Sequence, residues 1–244
     1  GRTDAAFHVA EPFEFRKDPA LPVQASVKIA RSSMSRHIIT YSGTDLLALS
    51  HQIAHECGHI LRYYRAPEER RLVPSSDALT MRAAIADIEA RDKAALRSFP
   101  LEVRYRVLPS LVSGLIHQLT NLPPDVYIEK WIFESYPALR PGQRRTLDAI
   151  HRQAVAGLDP ALRLKLPRVV VDGSNAMNYA FFKKIDEAAG TTFVGPFRRS
   201  AAKKTGEALY RITPDADAGL EGDIRVVNGW ADRLKVAGWF KWID

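Results

Sequence analysis

Cysteine is almost absent: Cys57 is the only one in a chain of 244 residues. No intrachain disulfide can form, so the fold must be held by its core, as suits a reducing, cytoplasmic setting. No apolar run is long enough to cross a bilayer, which argues against a membrane-spanning helix. Internal repeats, low-complexity linkers and a glycine-rich phosphate loop are also missing. Asp172-Gly173-Ser174-Asn175 reads as a turn and helix cap, not as a nucleotide fingerprint. What the chain does have is 46% apolar residues, enough for a sizeable core, and a formal net charge of +7. That charge makes an acidic partner electrostatically reasonable. The densest basic run, Arg198 to Lys204, has no interleaved aromatics, so nucleic acid stays open as a partner without a motif pointing to it, and a solvated basic loop is the simpler reading.

Histidine is scarce too, with seven in the chain, yet two of them stand in His55-Glu56-Cys57-Gly58-His59. This is the H-E-x-x-H pattern on what reads as a helix, begun by Thr44 as a cap and Asp45 in the first turn. Residues four apart share a helix face, so His55 and His59 can bind one zinc ion from the same side. Glu56, about 100° round the axis, stays free as a general base. On the wheel Leu46, Leu49, Ile53, Cys57, Ile60, Leu61 and Tyr64 form an apolar arc, expected to face the core. His51, His55, Glu56, His59 and Arg62 lie opposite. His51 reads as a rim residue or as a contact to a ligand or substrate, and Cys57 as a small buried apolar residue.

A catalytic zinc site normally takes three protein ligands. Positions 62 and 65 are arginine, which excludes a third histidine at short spacing. The remaining common solution is a carboxylate on a second helix, expected between Pro124 and Pro137. There Lys130 and Glu134 pair as a solvated face would. Glu129 falls inside the apolar arc, where an ionised carboxylate needs a compensating charge, so Glu129 is the expected third ligand. Asp125, one turn earlier, is expected to orient a histidine ligand from behind. A buried salt bridge from Glu129 to an arginine is the alternative.

These residues resemble the zincin zinc metallopeptidases of the gluzincin type, and the string His55 to Leu61 is similar to the motif helix of the ImmA/IrrE-type bacterial metallopeptidases. The resemblance implies a zinc-dependent metallopeptidase that hydrolyses a peptide bond in a protein substrate through a zinc-activated water, with Glu56 as general base. Tyr127, Tyr136 and His151 are candidates for stabilising the oxyanion, although His151 reads equally as a surface residue. It also implies that the strand His37 to Tyr41 lines the cleft and pairs with the substrate backbone. A peptidase-like fold kept as a binding or regulatory module, and a zinc hydrolase of non-peptide amides, are the rival readings.

The expected fold class is α+β. A zincin-like metallopeptidase domain with a mainly helical centre spans residues 1–158, and a mixed α/β C-terminal extension spans 159–244, separate or packed into the same domain. Val23 to Ala30 reads as extended. Asp77 to Arg97 and Leu101 to Leu119 read as helices, with Pro109 interrupting the second, and His117 falls outside its apolar stripe, on the surface. In the last third, Arg168 to Val171, Ile224 to Val227 and Val236 to Ile243 read as strands, and Ser174 to Ala189 as a helix. Trp239, Phe240 and Trp242 read as packing residues.

Overall fold

The computed structural model describes residues 12–21, 24–31, 34–97 and 99–244. The protein is mostly helical with a small mixed sheet, an α+β arrangement. Three short strands come first: β1 (Phe13–Lys17), β2 (Ala25–Lys28) and β3 (His37–Tyr41). Their order is β1-β3-β2, with β1 parallel and β2 antiparallel to β3. Val23, expected in the second of these, lies outside the described residues.

Helix α1 (Leu46–Arg65) carries the H-E-x-x-H run and is capped by Asp45, whose side chain accepts from the Leu47 amide at 3.2 Å. The cap is one residue later than expected. Helices α2 (Ala78–Arg91) and α3 (Lys93–Leu96) follow, α2 starting at a capping box between Asp77 and Thr80. Then comes α4 (Leu101–Ser135), one unbroken helix of 35 residues that carries Pro109, Pro123 and Pro124 inside it. Proline was expected to divide this stretch into two helices. Packing overrides that local preference, because Leu115, Leu119, Leu122 and Val126, on both sides of the Pro123-Pro124 pair, are all buried in the core.

The C-terminal third corrects the expected mixed α/β extension. After α5 (Arg140–Ala156) and α6 (Pro160–Lys165), α7 (Arg168–Ala189) takes in the whole β-branched run at Val169–Val171. Helix α8 (Lys203–Arg211) leads to α9 (Gly219–Leu234), which contains Ile224 to Val227. Only the end of the last expected strand is extended, as β5 (Lys241–Ile243), paired antiparallel with β4 (Val73–Ser75). β-branched residues favour strands only weakly, and here Val170, Val171, Val226 and Val227 are buried on helices. A single apolar core runs across residue 158, joining Leu119 and Val126 of α4 to Phe182 of α7 and Trp230 of α9. Trp239 and Phe240 are buried in it. No described helix is long and apolar enough to cross a membrane.

Candidate metal centre

The polar side of α1 turns out to be its buried side. His51, Gln52, Glu56 and Arg62 are all buried, whereas Leu46 is 76% exposed and Cys57 only half-buried. The expected assignment of the two arcs to core and surface therefore fails, since Leu49, Ile53, Cys57, Leu61 and Tyr64 are, like His55 and His59, only half-buried. Ile60 is the exception, being fully buried. The cause is close helix packing on the polar side. A Cβ on Gly58 would lie 2.7 Å from Cγ2 of Ile128 on α4, and one on Gly142 of α5 would lie 2.2 Å from the Leu47 carbonyl oxygen of α1. The two glycines let α4 and α5 approach α1 on the face that carries the histidines.

At that crossing three atoms form a nearly equilateral triangle. His55 Nε2 and His59 Nε2 are 3.2 Å apart, and Asp125 Oδ1 lies 3.3 Å from the first and 3.1 Å from the second. Asp125 Oδ1 is buried and makes no hydrogen bond, despite two imidazole nitrogens within reach. Tetrahedral zinc with bonds of about 2.0–2.1 Å separates its ligands by about 3.3–3.4 Å. The residues present fit that ion in spacing and in donor type.

Glu129 is on the other side of the His55 ring. Its Oε1 is 2.8 Å from His55 Nδ1, and its Oε2 is 3.0 Å from His51 Nε2. Gln143 of α5 donates to the same Oε2 at 2.6 Å and to the Glu129 backbone carbonyl at 2.8 Å. His51, His55 and Glu129 also lie close enough together to hold an ion. Their short contacts, however, are those of a carboxylate accepting from two ring N–H groups, which places a proton on His55 Nδ1 and turns Nε2 toward Asp125 and His59.

Electrostatics follow the geometry. Burial alone would push His55 down, but the facing Asp125 and Glu129 carboxylates hold it well above its ordinary value. Burial pushes Asp125 and Glu129 up, and the imidazoles outweigh it, so both carboxyls stay below the usual range.

One turn beyond His59, Arg62 forms a second cluster, buried at Arg62 and Asp223 and open to solvent at Asp217. Its guanidinium donates to Asp223 at 2.6 and 2.7 Å and to Asp217 at 2.7 and 2.9 Å, and it lies against the Tyr127 ring. Tyr127 gives its hydroxyl to the Pro214 carbonyl at 2.9 Å, and burial with the two aspartates pushes it up to about 12. His151 is half-buried among Phe182, Phe193 and Phe197, its Nε2 bonded to the Phe193 carbonyl at 2.8 Å, so it is neither a surface residue nor a group facing the histidine pair. Tyr136 is 44% exposed and packs edge-to-face with Trp131. None of these three lines the cleft beside His55 and His59.

That cleft has a volume of about 900 Å³ and is lined by Glu56, both motif histidines, Asp125 and Glu129, with Gln24 to Ile29 along one side. Its wall is thus β2, and β2 is an edge strand. β3, expected in that role, is the central strand with both edges already paired, so it has no free hydrogen-bonding edge. Sequence reasoning missed Gln143, and the burial of His51; the glycines at 58 and 142 were the available signal for both. Compared with known proteins, the chain matches no family model, no curated protein and no solved structure.

Proposed function

We propose that the protein is a zinc-dependent hydrolase of peptide bonds, with a zincin-like arrangement in which His55, His59 and Asp125 hold the metal and Glu56 is the general base. The observation that carries this is the 3.1–3.3 Å triangle closed by a buried carboxylate oxygen with no hydrogen bond. A buried carboxylate oxygen that faces two imidazole nitrogens without a hydrogen bond is suited to share a cation with them. Two imidazoles and one carboxylate are a common donor set for catalytic zinc. A zinc ion there would supply Lewis acidity, for activating a water and polarising a carbonyl.

The chain's own residues have distinct tasks in this reading. Glu56 lines the cleft next to the ligating histidines, where it can take the proton of the attacking water and return it to the departing amine. Glu129 fixes the His55 tautomer and makes it a stronger donor, while His51 and Gln143 hold Glu129 in place. The roles of Asp125 and Glu129 are thereby exchanged relative to the sequence expectation.

Metal analysis of the unmodified protein, Asp125→Ala and Glu129→Gln, each dialysed against limiting zinc and shown folded by circular dichroism, tests the reading. About one zinc per chain is expected for the unmodified protein and none for Asp125→Ala. Glu129→Gln should load with affinity weakened by about 10–100-fold. If Asp125→Ala keeps its zinc and Glu129→Gln has none, Glu129 is the ligand after all. If the unmodified protein holds no metal, the hydrolase reading is lost. Glu56→Gln should bind zinc fully and leave an unfolded protein substrate uncut.

A further inference from the structure

We infer, resting on the hydrolase reading above, that the cleft takes an extended peptide segment bearing acidic side chains on one side of the bond to be cut, held there by Lys28, Arg31 and His117. The walls of the cleft give its direction and length. At one end Gln52 of α1 donates to the Gln24 side chain at 2.7 Å. At the other, Val27 and Ile29 border the same recess as His59, His117 and Asn121. The strand therefore runs beside α1 in the same sense, and α4 runs opposite to both. Gln24 to Ile29 measures about 17 Å in extended form. His117 to Glu129 on α4, the opposing wall, measures about 18 Å. Two walls of equal length, one of them a free strand edge, suit a chain of about five extended residues better than a compact small amide.

The two ends differ in charge. All three acids that line the cleft, Glu56, Asp125 and Glu129, lie at its centre or toward the Gln24 end. At the far end are Lys28 and Arg31, both exposed, and among the described residues neither forms an ion pair. The two aspartates nearby, Asp217 and Asp223, are bonded to Arg62, and Arg65 supplies a second positive charge beside Asp217. His117 adds a donor of fixed sense. Asn121 Nδ2 donates to the His117 backbone carbonyl at 2.6 Å, which identifies it as the amide nitrogen, and it lies 3.0 Å from His117 Nδ1. Nδ1 must then accept, so the neutral ring carries its proton on Nε2 and offers that N–H to an acceptor. His117 stands two turns before Asp125 on the same helix face, about 12 Å away, which corresponds to three or four extended residues from the reacting bond.

The test uses zinc-loaded protein and a set of fluorogenic peptides in which one glutamate is moved from the fourth position before the cut to the fourth after it. Cleavage is measured on the unmodified protein and binding, by fluorescence anisotropy, on Glu56→Gln. Glutamate about three residues from the cut, on one side only, should raise kcat/KM roughly tenfold and tighten binding comparably, an advantage that shrinks as salt is raised from 0.05 to about 0.5 M. Charge reversal at Lys28 and Arg31 together should transfer the preference to lysine at that position. His117→Ala should reduce it without reversing it. Peptides cut with no positional preference, or a preference untouched by the charge reversal, would overturn the inference, as would peptides neither cut nor bound. If nothing is cut but Glu56→Gln binds with the same one-sided preference, the cleft assignment holds and the hydrolase reading alone fails.

Discussion

Two charge clusters lie a single turn apart on α1, and they are completed in opposite ways. Around Arg62 every strong donor meets a carboxylate: one guanidinium satisfies Asp223 and Asp217, and the cluster needs nothing from outside the chain. Around His55 the Glu129 carboxylate is satisfied too, bonded by His51, His55 and Gln143, although His51 Nδ1 and Gln143 Oε1 are left without partners. The inner triangle is not satisfied, since Asp125 Oδ1 has no hydrogen bond and faces two ring nitrogens. Arg62 and Asp223 are at least as buried as Asp125 and the two motif histidines, so burial alone does not separate the clusters. The difference is whether the lone pairs are used up within the chain.

The comparison is broken most severely by removing one member of each cluster. Asp125→Ala should abolish zinc binding and lower metal-free stability only modestly, and chiefly at acidic pH, because His55 loses one of its two facing carboxylates. Arg62→Ala should do the reverse. It strands Asp223, whose carboxyl burial already pushes up against the pull of Arg62, and breaking such a buried pair costs about 3–5 kcal/mol. Denaturant melts with and without zinc separate the two outcomes. A zinc-induced gain in stability that vanishes in Arg62→Ala but survives in Asp125→Ala would mean the clusters have been assigned the wrong way round.

A smaller effect is expected from Gly58→Ala. Its new methyl would meet Ile128, which stands between Asp125 and Glu129 on α4, so the two ligand-bearing helices must move apart. Overpacking of this kind costs about 1–3 kcal/mol. The sharper readout is zinc affinity, which should fall more than stability does, since a shift of α4 against α1 opens the triangle. Ile128→Ala beside Gly58→Ala, by removing the Cγ2 and Cγ1 atoms that the methyl would meet, should restore part of the zinc affinity. If it restores none, the close approach at Gly58 is not what sets the triangle.

How much of this was legible in the sequence depends on range. His55, Glu56 and His59 on one helix follow from a four-residue period, and so does the presence of Asp125 and Glu129 on one face of another. Which carboxylate meets the Nε2 atoms does not follow, because a helical wheel puts both on that face. The choice is made by the height at which α4 crosses α1, and that is set by Gly58 against Ile128. The burial of His51, Glu56 and Arg62 on α1 has the same origin: polar residues read as surface until close helices and a neighbouring Gln143 are known to cover them. Val169–Val171 and Ile224–Val227 were misread as strands for a related reason, their helical state being decided by long-range packing on α4. Three prolines inside α4 misled in the same direction.

The mildest way to sharpen the contrast is pH, because only one cluster should couple its stability to zinc. In the metal-free protein His55 is held above its ordinary value by Asp125 and Glu129, against the effect of burial. A raised folded pKa gives stability that is fully present below about 6.5 and is lost as pH rises through the raised value. Asp125 and Glu129 are depressed, so their contribution is present above about 4 and is lost as pH falls toward their folded values. Chelator-treated protein should therefore be most stable in the mildly acidic range and weaken toward alkaline pH. Zinc must displace the proton shared inside the triangle, so its stabilising increment should grow over the interval in which the His55 contribution fades. Arg62 and its aspartates take no part in that proton exchange, and Arg62→Ala, which lowers stability and lets burial raise Asp223 further, should leave the pH dependence of the zinc increment unchanged. Thermal melts from pH 5 to 9, with chelator and with excess zinc, measure this directly. A zinc increment that is flat with pH would mean that no proton is lost on binding, and that the two imidazole nitrogens are already free lone pairs in the metal-free protein.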